Sequence, residues 1–200
     1  MSSEGLTPYF AGRPLETALF FGGLAVWTVV EVRQAFNRRP DATRADRGSA
    51  LTLRLCVIAA NVFAALAAIR LRSAALPDGA VTFGIGLLVT WAGIGLRWLC
   101  FGTLGRYFTF SVMTSPNQRV ITSGPYRVVR HPSYAGVLLV LSGIAIVVYA
   151  NWISLAAVIA LSLAGLTYRI RVEEAALSST LGQAYTSYAA GRKRLIPFVW

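Results

Sequence analysis

The chain has a single histidine, His131, and it falls in the stretch VITSGPYRVVRHPSYAG (120–136) with two arginines and two tyrosines. Gly124-Pro125 is turn chemistry, because proline presets one backbone angle and glycine tolerates the reversed one. Pro132 stands where a helix would begin, a position that proline favours because its missing N–H would be unpaired there anyway. The N–H groups that follow lie at the positive end of a helix. With Arg127, Arg130 and His131 beside them, they form a candidate seat for a carboxylate or phosphate. The plainer alternative is a basic loop that caps a membrane helix on its cytosolic side.

A second group of charges follows some forty residues later, in RIRVEE. Arg169 and Glu173 are four apart and so share one helix face. An ordinary surface pair at that spacing is worth only ~0.3–0.5 kcal/mol, and an interfacial salt bridge is the plain reading. Glu173 and Glu174 nevertheless account for two of only 8 acidic residues. Carboxylates at the mouth of a lipid-facing pocket can hold a cationic group, and the neighbouring arginine an anionic one. A ligand carrying both charges and an apolar flank fits best, and charged groups this near a membrane are functional candidates by default.

The elements that must position these groups are membrane spans. Of 200 residues, 56% are hydrophobic and 14% charged, with a mean hydropathy of +0.58. A soluble domain of this length carries more charge. Apolar runs of spanning length are expected at 16–32, 51–69, 81–99, 134–149 and 153–168. The last two, parted only by Ala150-Asn151-Trp152, read as a helical hairpin. Gly84, Gly86, Gly93 and Gly95 permit close packing of the third span, and Arg54 is placed to snorkel from the second. The excursion 101–132 is too polar for lipid and longer than a connector needs. The opening MSSEGLTPYF lacks the basic and apolar regions of a cleavable signal. Cys56 and Cys100 fall inside spans and read as small buried hydrophobes, not as a disulfide or metal pair.

The formal charge of +11 does not point to nucleic acid, because the basic residues lie between the apolar spans. The first loop, the excursion and the tail hold 14 of them, against Arg13, Arg70 and Arg72 on the other side. The positive-inside rule then predicts an all-α, five-span bundle with its N-terminus out and C-terminus in. The expected arrangement is one membrane domain, with three spans in 1–100 and a catalytic half in 101–200. A pocket between the excursion and the tail would face the cytosol at one end and lipid at the other, in the inner membrane if the source is prokaryotic.

The order GPY-x3-RHPSY-x-G, then R-x3-EE, then G-x2-Y-x2-Y ending in RLIPF resembles the isoprenylcysteine carboxyl methyltransferase family over roughly residues 104–200. That family and the related phospholipid methyltransferases are integral membrane enzymes that use S-adenosylmethionine. The resemblance implies that Gln118, Arg119, Val120, Ile121, Tyr126, His131, Pro132, Ser133 and Tyr134 line the cofactor site, with Glu173 also in contact. It places Arg169 where the family has a substrate-contacting arginine, and Ser111 near a cofactor-contacting glutamine.

The donor's groups suit these residues. Its carboxylate matches Arg130, His131 and the N–H groups ahead of the fourth span; its ammonium or ribose matches Glu173 or Glu174. Tyr126 or Tyr134 can face the sulfonium, and Val120 and Ile121 can flank the adenine. No glycine-rich turn of the dinucleotide-binding kind is present. The expected acceptor is a lipophilic small molecule or lipid-modified substrate, with a carboxylate favoured if Arg169 steers it. Two alternatives remain: a NADPH-dependent reductase of sterols or lipid enones, whose membrane core resembles the same half, and a non-catalytic membrane protein.

Overall fold

The computed structural model describes residues 8–35, 43–77, 79–109, 112–115 and 119–200. Among these, six α-helices account for most of the chain: α1 (Pro14–Ala35), α2 (Ser49–Arg70), α3 (Ala80–Leu104), α4 (Pro132–Tyr149), α5 (Trp152–Leu181) and α6 (Gln183–Ala190). The first five are long and apolar enough to cross a membrane, as the composition requires of an integral membrane protein. Their outer faces carry uncovered Leu, Ile, Val and Phe side chains, which lipid and not water would solvate.

Two helix pairs make the body. α3 and α4 approach through glycines seven apart on each helix, which returns them to one face. A Cβ at Gly93 would lie 2.7 Å from the Gly136 carbonyl oxygen, and one at Gly86 would lie 2.6 Å from Val147. Gly84 and Gly95 meet nothing within 4 Å, so only half of that glycine set lies at the contact. α2 packs along α5, with Ala60 and Ala64 fully buried against Val158 and the Ser154 hydroxyl donating to the Ala64 carbonyl at 2.7 Å. α1 is the loose member. Phe20 is buried against Phe83 and Val147, while Leu15, Phe21, Val29 and Val32 remain exposed.

The α4–α5 hairpin turns as its residues suggest. Ala150 adopts left-handed backbone (φ 43°), and the Asn151 side chain accepts from the N–H groups of Ile153 and Ser154 at 3.0 and 3.1 Å. That is an N-cap on α5. The same Asn151 donates to the Leu71 carbonyl at 2.9 Å, tying the hairpin to the α2–α3 connection.

The helices run further than the hydropathy pattern indicates. α3 continues to Leu104, so the excursion begins at Gly105 and not at Phe101. Phe101 is buried beneath the Arg97 guanidinium, 4.9 Å from ring centroid to carbon, which gives that extra turn a packing reason. α5 is one helix of 30 residues. At ~1.5 Å per residue it is about 45 Å long, so it outreaches a ~30 Å hydrocarbon layer and carries its charged end beyond it. A two-residue antiparallel ladder, β1 (Thr43–Arg44) with β2 (Met113–Thr114), joins the first loop to the excursion. It is the small departure from an all-helical chain.

Candidate active site

The turn ahead of α4 is built by the tail. Val129 and Lys193 form a parallel bridge, and the N–H groups of Arg130 and His131 donate to the carbonyls of Lys193 and Arg194 at 2.9 and 2.8 Å. The Tyr134 and Ala135 N–H groups turn back onto the His131 carbonyl. The expected seat of open N–H groups is therefore largely filled from within. What the turn presents outward is side chains.

Those side chains meet the acids of α5. His131 lies 3.7 Å from Glu173 (Nδ1 to Oε2) and 3.2 Å from Glu174 (Nε2 to Oε1). Glu174 is also held by Arg130 at 2.7 Å and by Arg194 at 2.9 Å. Three basic groups around one buried carboxylate make Glu174 a fastener between α5, the turn and the tail. Glu173 is placed differently. It accepts from the Tyr134 hydroxyl at 2.6 Å while its side chain stays 30% exposed. The Tyr134 oxygen accepts in turn from Arg169 Nε at 2.9 Å. Arg169, Tyr134 and Glu173 thus form a continuous chain of hydrogen bonds, with the Tyr134 ring stacked on His131 at 5.6 Å.

A cavity of about 550 Å³ opens onto this chain, well within the range of small-molecule sites. Arg119, Val120, Ile121, Tyr126, Arg130, His131, Ser133, Tyr134, Arg169 and Glu173 all line it. Pro132 and Glu174 do not, and Gln118 and Ser111 lie outside the described residues. Apolar groups from several helices, Leu51, Leu104, Val137 and Leu177 among them, complete the wall.

Four contributors were not among the expected site residues, although two of them, Tyr185 and Tyr188, are the tyrosines of G-x2-Y-x2-Y. Arg97 lines the cavity and forms an ion pair through Nε and Nη2 with the Glu31 carboxylate, the Nη2 contact at 2.7 Å. Its Nη1 donates to the Ser133 hydroxyl and carbonyl at 2.9 and 3.1 Å. Asp46 pairs with Arg169 at 3.0 Å. Tyr185 and Tyr188 of α6 close the far side, and the Tyr188 hydroxyl donates to the Tyr126 carbonyl at 2.9 Å. Asp46 lies five residues ahead of the apolar run 51–69, too far for the helix-start pattern. Glu31 and Arg97 read only as span ends.

The electrostatics follow from burial. Burial first, then the Cys100 thiol and the Glu173 charge, push the Tyr126 phenol far above its ordinary range. Burial, then Glu174 and Glu173, do the same to Tyr185. Both remain neutral hydroxyls. For Asp46 burial opposes ionisation, but hydrogen bonds from Ala50, Ser49 and Val112 and the charge of Arg169 outweigh it and lower its pKa. Two polar atoms at the cavity wall, Arg130 Nε and the Tyr185 hydroxyl, are buried without a protein partner. Such atoms are costly unless something else bonds them.

Residues 85–179 match the isoprenylcysteine carboxyl methyltransferase (ICMT) family. Protein-S-isoprenylcysteine O-methyltransferase B of Arabidopsis thaliana is 31% identical over 119 residues, covering 58% of this chain and 59% of that protein. A probable protein-S-isoprenylcysteine O-methyltransferase of Oryza sativa subsp. japonica is 31% identical over 117 residues, 58% of this chain and 61% of that protein. The chain therefore spans about three-fifths of the length of the curated relatives it matches. The family that the histidine turn and the acid pair suggested is thus the one whose model residues 85–179 match and whose named members are similar to this chain.

Proposed function

We propose that the protein is a membrane methyltransferase that moves a methyl group from S-adenosylmethionine to the carboxylate of a lipophilic acceptor. The observation that carries this reading is the single cavity in which the His131 turn, Arg169 and Glu173 meet. The relatives' names supply the reaction class, O-methylation at an isoprenylated cysteine.

The lining suits the donor. Its ammonium would find Glu173, the wall acid with substantial exposure, and its carboxylate or hydroxyls would find Arg130 Nε and the Tyr185 hydroxyl, the two cavity-wall atoms that lack a partner among the described residues. Neutral tyrosines offer ring faces to a sulfonium. When bound, the donor supplies an electrophilic methyl carbon: the acceptor oxygen forms the O–C bond as the C–S bond breaks, with the pair left on sulfur. A carboxylate acceptor needs no proton removed, so the chain's own residues have to bind, orient and exclude water. Holding two reactants in contact is itself worth ~7–11 kcal/mol. Arg169 is the group to orient an anionic acceptor, and Tyr134 links it to Glu173 so that the two binding groups are set by one network. A wall acid at this point disfavours a polyanionic dinucleotide, which weighs against the reductase reading.

The arginine distribution supports a cavity that opens to the cytosol, with the apolar wall turned to the inner leaflet. The test is transfer of labelled methyl from S-adenosylmethionine to N-acetyl-S-farnesyl-cysteine by the detergent-purified protein. A base-labile methyl ester is the expected product. No label transfer to this probe or to extracted membrane lipids would overturn the reading.

A further inference from the structure

We infer that Asp46, in the loop ahead of α2, is a positioning residue that sets the Arg169 guanidinium for the acceptor. This rests on the methyltransferase reading above. Asp46 lies outside residues 85–179 and outside the stretch 104–200 that carries the motifs.

The geometry around it is that of a built site. Asp46 is 3% exposed and Arg169 5%, and Arg169 Nη1 donates to Asp46 Oδ1 at 3.0 Å and to the Ser49 hydroxyl at 3.2 Å. The carboxylate is itself fixed: Ser49 Oγ donates to Oδ1 at 3.0 Å, Ala50 N–H to Oδ2 at 3.3 Å and Val112 N–H to Oδ1 at 3.4 Å. These donors come from the first turn of α2 and from the excursion. The Ala45 N–H donates to the Val112 carbonyl at 2.8 Å, beside the β1–β2 ladder, so the anchor is part of a small scaffold.

A guanidinium is a rigid plane. Nη1 fixed by Asp46 and Nε fixed by Tyr134 at 2.9 Å determine where the whole plane points. Tyr134 belongs to the helix that follows the histidine turn, and Asp46 to the first loop, which the β1–β2 ladder ties to the excursion. The orientation of Arg169 therefore depends on both walls of the cavity being in register, and Asp46 is the wall the family motifs do not contain. The N-cap of α2 is Gly48 and not Asp46, and a buried carboxylate with this many donors is more than the first turn of that helix needs.

The experiment uses N-acetyl-S-farnesyl-cysteine as acceptor with Asp46→Asn, Asp46→Glu, Arg169→Lys and the Asp46→Asn/Arg169→Lys double variant. Asp46→Asn is expected to raise the acceptor KM tenfold or more while the Kd for S-adenosylmethionine stays within twofold; Asp46→Glu should recover most of the loss. If Asp46 acts through Arg169, the double variant is no worse than Arg169→Lys alone, because coupled residues are non-additive. An unchanged acceptor KM in Asp46→Asn overturns the assignment, as do losses that multiply in the double variant. So does a fall of donor affinity, acceptor affinity and melting temperature together, or a protein that fails to fold as both Asn and Glu variants, since either marks Asp46 as purely structural. If the unaltered protein transfers no methyl, the functional reading fails and this inference with it.

Discussion

Arg97 and Arg169 are a matched pair with different work. Both are buried, at 4% and 5% exposure, both line the same cavity, and each reaches an acid from the first quarter of the chain. Arg97 closes its fork on Glu31 through two nitrogens and spends the third on Ser133. That saturates it. It fastens α1, which has few other contacts, to the start of α4. Arg169 pairs with Asp46 through one nitrogen and leans through Tyr134 on Glu173, an acid that keeps 30% of its side chain exposed beside the cavity. A buried arginine is therefore a poor guide to function by itself. What separates the two networks is the exposure of the carboxylate on which each ends, 16% for the Glu31 side chain and 30% for that of Glu173.

The comparison can be broken most directly at its reachable end. Glu173→Gln should lower methyl transfer at limiting donor by about 10–100-fold, because a hydrogen bond to a charged group is worth ~1.5–3 kcal/mol, and leave the melting temperature within a few degrees. An active variant would make Glu173 no different from Glu31. At the less exposed end, Arg97→Ala should cost up to about 3 kcal/mol of stability, because the largely buried Glu31 carboxylate loses its charge partner and keeps only the Trp27 hydrogen bond. Glu31→Ala/Arg97→Ala should regain most of that, and thermal melts of the single and double variants measure it. Were Arg97→Ala stable but unable to bind donor, Arg97 would belong with Arg169.

The packing that holds the two networks apart gives a smaller effect. Gly93→Ala forces a methyl against the Gly136 carbonyl oxygen, where the Cβ would lie at 2.7 Å, and should cost about 1–3 kcal/mol. Gly95→Ala, with nothing within 4 Å, should be neutral in the same melt. The smallest effect is the pH response of Asp46. Its folded pKa lies below the ordinary 3.8, so its stabilising contribution is present above 3.8 and is lost as pH falls through the depressed value. The melting-temperature gap between the unaltered protein and Asp46→Asn should hold from pH 7 down to the ordinary carboxylate range and close below it. A gap that grows on acidification would contradict the assignment.

Sequence alone made the five long helices legible, because apolar runs of spanning length have few other outcomes. The hairpin at Ala150-Asn151 and the meeting of His131 with Glu173 were legible too, the first from two apolar runs parted by only three residues, the second from motif order. The end of α3 was not: Leu104 lies past the apolar run, where packing of Phe101 under Arg97, and not hydropathy, keeps the chain helical. The arginine networks were also hidden. Glu31 and Arg97 are 66 residues apart, and Asp46 and Arg169 are 123 apart; no periodicity connects such partners. Glu174 shows the converse, since adjacency to Glu173 suggested a shared role and the helix turned the two acids to different neighbours.

The account stands on one cavity that accepts a zwitterionic methyl donor. Thermal unfolding of the purified protein against increasing S-adenosylmethionine, with NADPH in parallel, tests that most directly. At a hundred times its Kd the donor should stabilise by ~2.7 kcal/mol, its demethylated thioether product should also stabilise, and NADPH should leave the melting temperature unchanged. Stabilisation by NADPH alone, or by neither ligand, would contradict it.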